Sequence, residues 1–385
     1  MGYVKIIDIG QIDDFTSIIL AFFALAIVIQ LGYYLFVYLR VVLCRVEKKS
    51  VQTNNMPPVS VIICAHNDEE NLILNLTSVL EQDYPSYEVV VVNNCSDDQT
   101  EQVLAEYKQK YPHLRSTIIK NNGSFRNGRK FAATVGIKAA QHEWLLFTEA
   151  GCMPENDQWI ASMSRCFAEK KDIVLGYGGY LVQKGYLNKW IRYNTCFTAL
   201  QYFGFAKLGK AYTGVGRNLA YRKSLFFAHN GFAEHAHVLS GDNDLLVNRA
   251  ATGQNVAAAY IKNAHTRSKP HNTMKEWMLQ KRWHFATSRF YRKSQIFWLM
   301  LEPFSRVLMW ASFCVLLFVC PFWQYILLLF LLRMMLFMLI IGAAAKRLNE
   351  PGILQHAPFF DLVMPFVYSY VFLLYRISSK NNKWK

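Results

Sequence analysis

Apolar and polar positions divide this chain into three stretches with different rhythms. Residues 15–39, FTSIILAFFALAIVIQLGYYLFVYL, carry no charge. At 1.5 Å per residue this run reaches about 38 Å as a helix, more than the roughly 30 Å hydrocarbon core of a bilayer, so it can span with some tilt. Arg40, Arg45, Lys48 and Lys49 follow it, whereas Asp8, Asp13 and Asp14 precede it. Basic flanks stay with the cytoplasm, which predicts residue 40 onward on that side and the acidic N-terminus outside. The length of the run and its acidic flank argue against a cleaved signal peptide. Residues 1–49 therefore read as a membrane anchor, with a polar linker at 50–56.

From 57 to 291 the rhythm changes. SVIICA (60–65), YEVVVVN (87–93) and EWLLFTEA (143–150) are apolar runs of strand length, with helical periods at 69–80 and 97–111 between them. Such alternation predicts βαβ units and an α/β, Rossmann-like domain over 57–291 with a mostly parallel sheet. Beyond Ile296 the chain is apolar again. Segments 297–320 and 323–345 flank Pro321 as a helical hairpin, and a third lies at 358–376, within a C-terminal membrane region 296–385. Arg333, Asp361 and Pro365 fall inside these segments and are costly in lipid unless they face protein. Three crossings would leave the basic tail SSKNNKWK outside, against the charge rule. The last segment is therefore expected to lie at the interface or to re-enter.

Composition agrees with a part-membrane protein: 52% of residues are hydrophobic and mean hydropathy is +0.09. The net charge of +15, from 42 Lys+Arg against 27 Asp+Glu, suits an anionic partner such as nucleotide phosphates or anionic lipid. No nucleic-acid module is recognisable, so nucleic acid is not an expected partner. Eight cysteines without a CxxC pair suit a reducing cytoplasm and argue against a disulfide framework.

Polar chemistry gathers in a few stretches. PPVSVIICAHNDEENL (57–72) ends a strand in a turn holding Ala65, His66, Asn67 and Asp68; Asp68 and Glu69 also suit a helix N-terminus. VVVVNNCSDDQT (89–100) presents Asn93 and Asn94, with Ser96 or Asp97 able to cap the next helix. NGRKFAATVGI (127–137) offers Arg129 and Lys130, of which Arg129 reads more readily as a solvated charge. LLFTEAGCMP (145–154) delivers one carboxylate, Glu149, to the sheet edge, with Gly151 two residues on. VLSGDNDLLVNRAA (238–251) carries Asp242 and Asp244; an N-cap is the plain structural role for Asp242. TGVGRNLAYRK (213–223) and EWMLQKRWHFATSRFY (276–291) complete the set, the latter also readable as an amphipathic interfacial helix.

In this order the motifs resemble a membrane-anchored family 2 glycosyltransferase with a GT-A fold, of the bacterial type that extends lipid-linked or surface polysaccharides. The resemblance covers about 57–291. It implies that Ala65, Asn67 and Asp68 hold the nucleotide base and ribose, and that Asn94 stands where an acidic residue would contact the base. It implies that Lys130 lies near the donor phosphates. Glu149 and Gly151 overlay the two carboxylates of a DxD motif, which leaves Glu149 as the metal ligand and implies weakened use of Mg²⁺ or Mn²⁺; metal-free stabilisation by Lys or Arg, or lost catalysis, stay open. Asp242 overlays the base that activates the acceptor, with Asp244 beside it, and Gly214 overlays the acceptor loop. Gln280, Lys281, Arg282, Trp283 and His284 resemble the QxxRW segment with one residue fewer, or a QK-x-RH variant with Trp283 at the Arg position, and would contact diphosphate and acceptor. The implied function is inverting transfer from a nucleotide-diphosphate sugar, UDP-linked, to a lipid-linked or growing glycan at the cytoplasmic face of the inner membrane. Two rivals accompany it: a catalytically silent glycosyltransferase-like subunit, favoured by Asn94, Gly151 and Trp283, and a polyprenyl-phosphate sugar transferase.

Overall fold

The structure is a computed structural model that describes residues 13–44, 56–120, 128–236, 238 and 241–380, with side chains through Ile377. Asp8, Arg45, Lys48, Lys49, the linker at 50–55, Asn127, Leu239, Ser240 and the tail at 381–385 lie outside the described residues, as do the side chains of Ser378, Ser379 and Lys380.

Continuous apolar runs form strands covered on both faces, as parallel sheets require. β1 (Val59–Ala65), β2 (Tyr87–Asn94), β3 (Leu114–Ile119) and β4 (Trp144–Glu149) make the parallel half of a seven-stranded sheet. Two short strands follow β4: β5 (Cys152–Pro154) and β6 (Ile173–Gly176). β7 (Gly178–Tyr180), β8 (Leu219–Arg222), β9 (Val256–Ala259) and β10 (Thr266–Ser268) complete the set. The large sheet runs β3-β2-β1-β4-β8-β6-β9, with β8 antiparallel to both neighbours, and β5-β10-β7 form a second sheet. One face of the large sheet takes Leu72, Leu76, Val79, Val103 and Leu104 from helices Glu69–Leu80 and Thr100–Lys110. The other takes Ile137 of helix Arg129–Ala139 and the aromatic side of helix Tyr186–Lys207. Gly136 permits the close approach of helix Arg129–Ala139: a Cβ there would meet Ile62 Cγ2 at 2.9 Å and Val92 Cγ2 at 3.1 Å. This contact holds the helix N-terminus over the carboxyl ends of β1, β2 and β4.

Among the described residues, four helices are long and apolar enough to cross a membrane: Asp14–Val42, Lys293–Val319, Trp323–Arg347 and Leu354–Ile377, the last continuing as helix Ala357–Lys380. The first contains a π-helical turn at Tyr33–Tyr38. The charges deep within the apolar segments, Glu302, Arg306, Arg333 and Asp361, find partners in one another. Arg333 donates to Asp361 at 2.7 and 3.2 Å and to Gln30 Oε1 at 2.9 Å, and Arg306 pairs with Glu302 and, at 3.4 Å, with Asp361. Each helix thus contributes to one buried polar knot, which meets the cost of a charge in an apolar surrounding.

The loop between the third and fourth helices is docked onto the α/β domain. Glu350, fully buried, accepts from Arg192 Nε at 2.7 Å, from Tyr177 OH at 2.7 Å and from Arg267. The fourth helix then lies along two helices of the domain. Phe360 sits edge-on to Trp190 at 5.2 Å, Asn194 donates to Met364 Sδ and Tyr368, and Phe285 of helix Met274–Ser288 meets Tyr368 and Phe372.

Candidate active site

The turns after β1 and β2 are stitched together by polar side chains. Asn67, at φ 52°, receives no help from a glycine; its N–H donates to Ser96 Oγ at 2.9 Å, and its Oδ1 accepts from Asp97 N–H at 2.8 Å. Asn tolerates this left-handed backbone better than most residues. His66 Nδ1 lies 2.7 Å from the Asn94 carbonyl, and Asp68 N–H donates to Thr100 Oγ1 at 3.1 Å. The Asp68 carboxylate accepts from His66 N–H and Asn71 Nδ2, so it is committed to shaping the turn. Ala65 and Asn94 are buried at the ends of their strands.

β1 and β4 run in register with Cys64 opposite Glu149. Above them, Arg129 is the first residue of its helix and reaches two carboxylates at once: Nη2 to Glu149 Oε1 at 2.5 Å and Nε to Asp242 Oδ2 at 3.0 Å. Asp242 stands at the N-cap position of helix Asn243–Ala250 but makes no capping hydrogen bond with its side chain. Burial works to raise the Glu149 carboxyl, and the Arg129 and Arg217 charges outweigh it, holding it below the usual carboxylate range. The same Glu149 and Asp242 charges hold Arg129 firmly in its charged form. Burial pushes the Cys64 thiol beneath them up to about 12, so it is inert as a nucleophile.

Lys130 is placed differently from the expectation. Its Nζ donates to the carbonyls of His235 (2.6 Å) and Val238 (2.9 Å), and the side chain is buried. Adjacent residues on a helix point about 100° apart, so only one of the pair can face the carboxylates. That one is Arg129, which sequence reading set aside as solvated. Lys130 instead pins the segment leading to Asp242.

The opposite wall is built around Arg217, which sequence reading passed over although it is the cation of the TGVGRN loop. Its guanidinium stacks 4.3 Å over the Tyr180 ring and lies 3.4 Å from Ser268 Oγ, while its carbonyl is held by Thr148 and Thr266 hydroxyls. Tyr180 OH donates to Gln280 Oε1 at 3.2 Å, which brings helix Met274–Ser288 to the same wall. Lys281 is buried there, and burial, with the Arg217 charge added, pushes its ammonium down to about 7. His284 is also pushed down, first by the protein crowded around it and then by Lys281 and Arg217, although its edge remains open to water. Burial raises the Asp244 carboxyl and the Asp242 charge adds to the effect, against hydrogen bonds from Thr287 and Tyr291. Trp283 points outward, 46% exposed, and Arg282 is half-buried. Gly214 serves packing: a Cβ there would meet Leu219 Cδ1 at 2.8 Å.

The protein side of this crevice does not fit a divalent ion by itself. Among the described residues no three His, Cys, Asp or Glu side chains converge as ligands. Glu149 is already spent on Arg129, and Gly151 offers no donor. Steric need does not explain that glycine, since a Cβ there would lie 3.7 Å from the Asn71 side chain, an ordinary contact.

These features can be set beside known proteins. The family model described as Glycosyl transferase family 21 matches residues 22–385. The chain belongs to this family. Its fold is the GT-A fold that the resemblance implied; the matching family is 21, where the motifs resembled family 2. This family 21 chain is 27% identical over 234 residues to "Probable glycosyltransferase YdaM" of Bacillus subtilis, covering 59% of itself and 54% of the relative. It is 25% identical over 135 residues to the Escherichia coli "UDP-Glc:alpha-D-GlcNAc-diphosphoundecaprenol beta-1,3-glucosyltransferase WfaP", covering 34% and 49%. The chain thus spans about half the length of these curated relatives. Among solved structures, the mannosyltransferase PcManGT from Pyrobaculum calidifontis, in complex with GDP-Man and Mn²⁺, shares the fold with a TM-score of 0.58 at 17% identity, over 90% of this chain and 98% of that one.

Proposed function

We propose that this glycosyltransferase moves a sugar, with inversion, from a UDP-linked donor to a lipid-linked or growing glycan acceptor at the cytoplasmic face of the membrane. The observation that carries the reading is the meeting of Asp242 with Glu149 across one guanidinium at the carboxyl ends of β1 and β4, where open α/β sheets bind their ligands. Asp242 is the base. Its carboxylate is spared from capping, mostly shielded from water, and positioned by Arg129 and Asn243. It takes the proton of the acceptor hydroxyl as that oxygen attacks the anomeric carbon from the face opposite the departing diphosphate. Arg129, Arg217 and protonated Lys281 surround the position where the diphosphate's charge grows, and fixed cations in a recessed site favour that charge without reorganising.

The fourth apolar helix supports the membrane-face assignment. A helix laid along helices Tyr186–Lys207 and Met274–Ser288 suits the interface, and an acceptor with a lipid tail could approach the crevice beside it. Purified full-length protein in lipid nanodiscs, supplied with UDP-sugars and lipid-extract acceptors, tests the reading. Transfer is expected, and Asp242→Asn is expected to lower turnover about 10²–10⁴-fold, the usual contribution of a positioned base. Asp242→Asn turnover close to wild type, under conditions where chemistry limits the rate, refutes the assignment.

A further inference from the structure

One guanidinium occupies the place between the carboxylates of this crevice, and three observations say what that means. First, the contacts are directional: Arg129 gives its Nε–H to Asp242 and one Nη2–H to Glu149, so a single planar group fixes the distance between them. A guanidinium carries five N–H donors, so three are not spent on these two carboxylates. The side chain is also 47% exposed, which opens it to a ligand without letting go of either partner.

Second, the donor set is short by one carboxylate, and not for lack of room. A Cβ at position 151 would make only ordinary van der Waals contacts, and the position needs no special backbone angle. Third, the group is held in place from behind. Helix Arg129–Ala139 is seated by the Gly136 contact on Ile62 and Val92. Gly216 closes the other side, where a Cβ would lie 3.4 Å from Arg129 Nη2 and 2.7 Å from Asn243 Nδ2.

We infer that Arg129 is the resident cation of the donor crevice: it joins Glu149 to Asp242 in the place a divalent ion would take, and it offers its remaining N–H groups to the donor diphosphate. Donor binding is therefore independent of divalent metal. Glu149 is a positioning residue for Arg129, and the same guanidinium orients the base. A divalent ion and Arg129 compete for the same carboxylate, so removing one is needed to admit the other.

This inference rests on the crevice being the donor site, and the test separates the two. In the first arm, Mn²⁺ alone is titrated against full-length protein in nanodiscs and followed by electron paramagnetic resonance. Wild type is expected to leave Mn²⁺ free at millimolar concentration. Arg129→Met, which exposes two facing carboxylates, is expected to bind it, and the binding is lost again when Glu149→Gln is added. Mn²⁺ binding by wild type that Glu149→Gln abolishes overturns the inference whether or not any nucleotide binds. In the second arm, UDP binding is measured by calorimetry in EDTA and in Mn²⁺. Wild type is expected to bind equally in both, within about twofold. Arg129→Met is expected to lose at least tenfold in EDTA while Arg129→Lys keeps part of the affinity, and Gly151→Asp is expected to make binding respond to Mn²⁺. A tenfold gain from Mn²⁺ in wild type, or Arg129→Met binding UDP normally in EDTA, also overturns it. A wild type that binds neither UDP nor GDP under any condition sinks the donor-site reading instead, and the Mn²⁺ arm then decides on Arg129 by itself.

Discussion

Lys281 gives a prediction with a calculable size. Its ammonium is buried within the field of the Arg217 guanidinium and 5.4 Å from the centre of the Trp277 ring, and burial, with that charge added, pushes its pKa down to about 7. In the empty enzyme the group is therefore about nine-tenths protonated at pH 6 and about one-tenth protonated at pH 8. If the diphosphate is bound by the charged form, apparent affinity scales with that fraction, which makes binding about tenfold weaker at pH 8 than at pH 6. The sign follows from linkage. A bound anion raises the lysine's pKa, so donor binding takes up protons and weakens as pH rises through 7. For the empty protein the sign is opposite: between about 7 and the ordinary lysine value the unfolded chain holds a proton that the folded one has lost, so this group makes stability rise with pH there. UDP-glucose is the ligand to use, because a terminal phosphate would titrate near pH 6 and confuse the slope. Calorimetry from pH 6 to 8.5 in two buffers of different ionisation enthalpy reads both affinity and proton uptake. Lys281→Arg, permanently charged, is expected to bind with little dependence on pH, and Lys281→Met to bind weakly and without slope. A flat wild-type profile, or an unchanged slope in Lys281→Met, refutes the reasoning.

Two further predictions concern the junction with the apolar helices. Glu350→Gln leaves Arg192 with no carboxylate, only a neutral amide and the Pro351 carbonyl at 2.8 Å, while Arg267 keeps Glu155 at 2.6 Å. One uncompensated buried guanidinium costs about 3 kcal/mol, the low end for a broken buried pair, or about 6–12 °C in melting temperature for a domain of this size. Differential scanning fluorimetry should show this drop and its partial recovery in the Glu350→Gln/Arg192→Met double variant; a shift under about 1 °C would contradict it. A reporter enzyme fused after Lys385 should report the cytoplasmic side, as expected for a fourth helix lying against the domain, and an extracytoplasmic signal would show that it crosses.

The parts of the fold that could be read from sequence are those where burial leaves a continuous trace. β1, β2 and β4 are covered on both faces, so their apolar runs announced them. β8, only LAYR, and β6, only IVLG, are too short to leave a rhythm, and nothing in four residues says that β8 runs against its neighbours. Helix Tyr186–Lys207 escaped notice because it buries Asn188, Arg192 and Asn194 along with its aromatic residues, and mixed burial erases the polar face that periodicity looks for. At the site, motif order located the segments but not the direction of each side chain. Arg129 and Lys130 are neighbours of like charge, and only the seating of their helix on Ile62 and Val92 decides which one meets Glu149. Arg217 carried a signal, a single cation between the glycines and the strand of TGVGRNLAYRK, yet its role depends on Tyr180 and Ser268, which arrive from distant stretches.

The knot of Gln30, Glu302, Arg306, Arg333 and Asp361 bears on how the molecule is made. The ribosome delivers Gln30 first and Asp361 more than three hundred residues later; Arg306 emerges just after its partner Glu302, but Arg333 emerges before the aspartate that pairs with it. A chain cut short between Arg333 and Asp361 carries an unmatched positive charge among apolar helices. The bundle's charge balance is therefore completed only when the last helix arrives, so the order of synthesis leaves its closure to the end of the chain's apolar region.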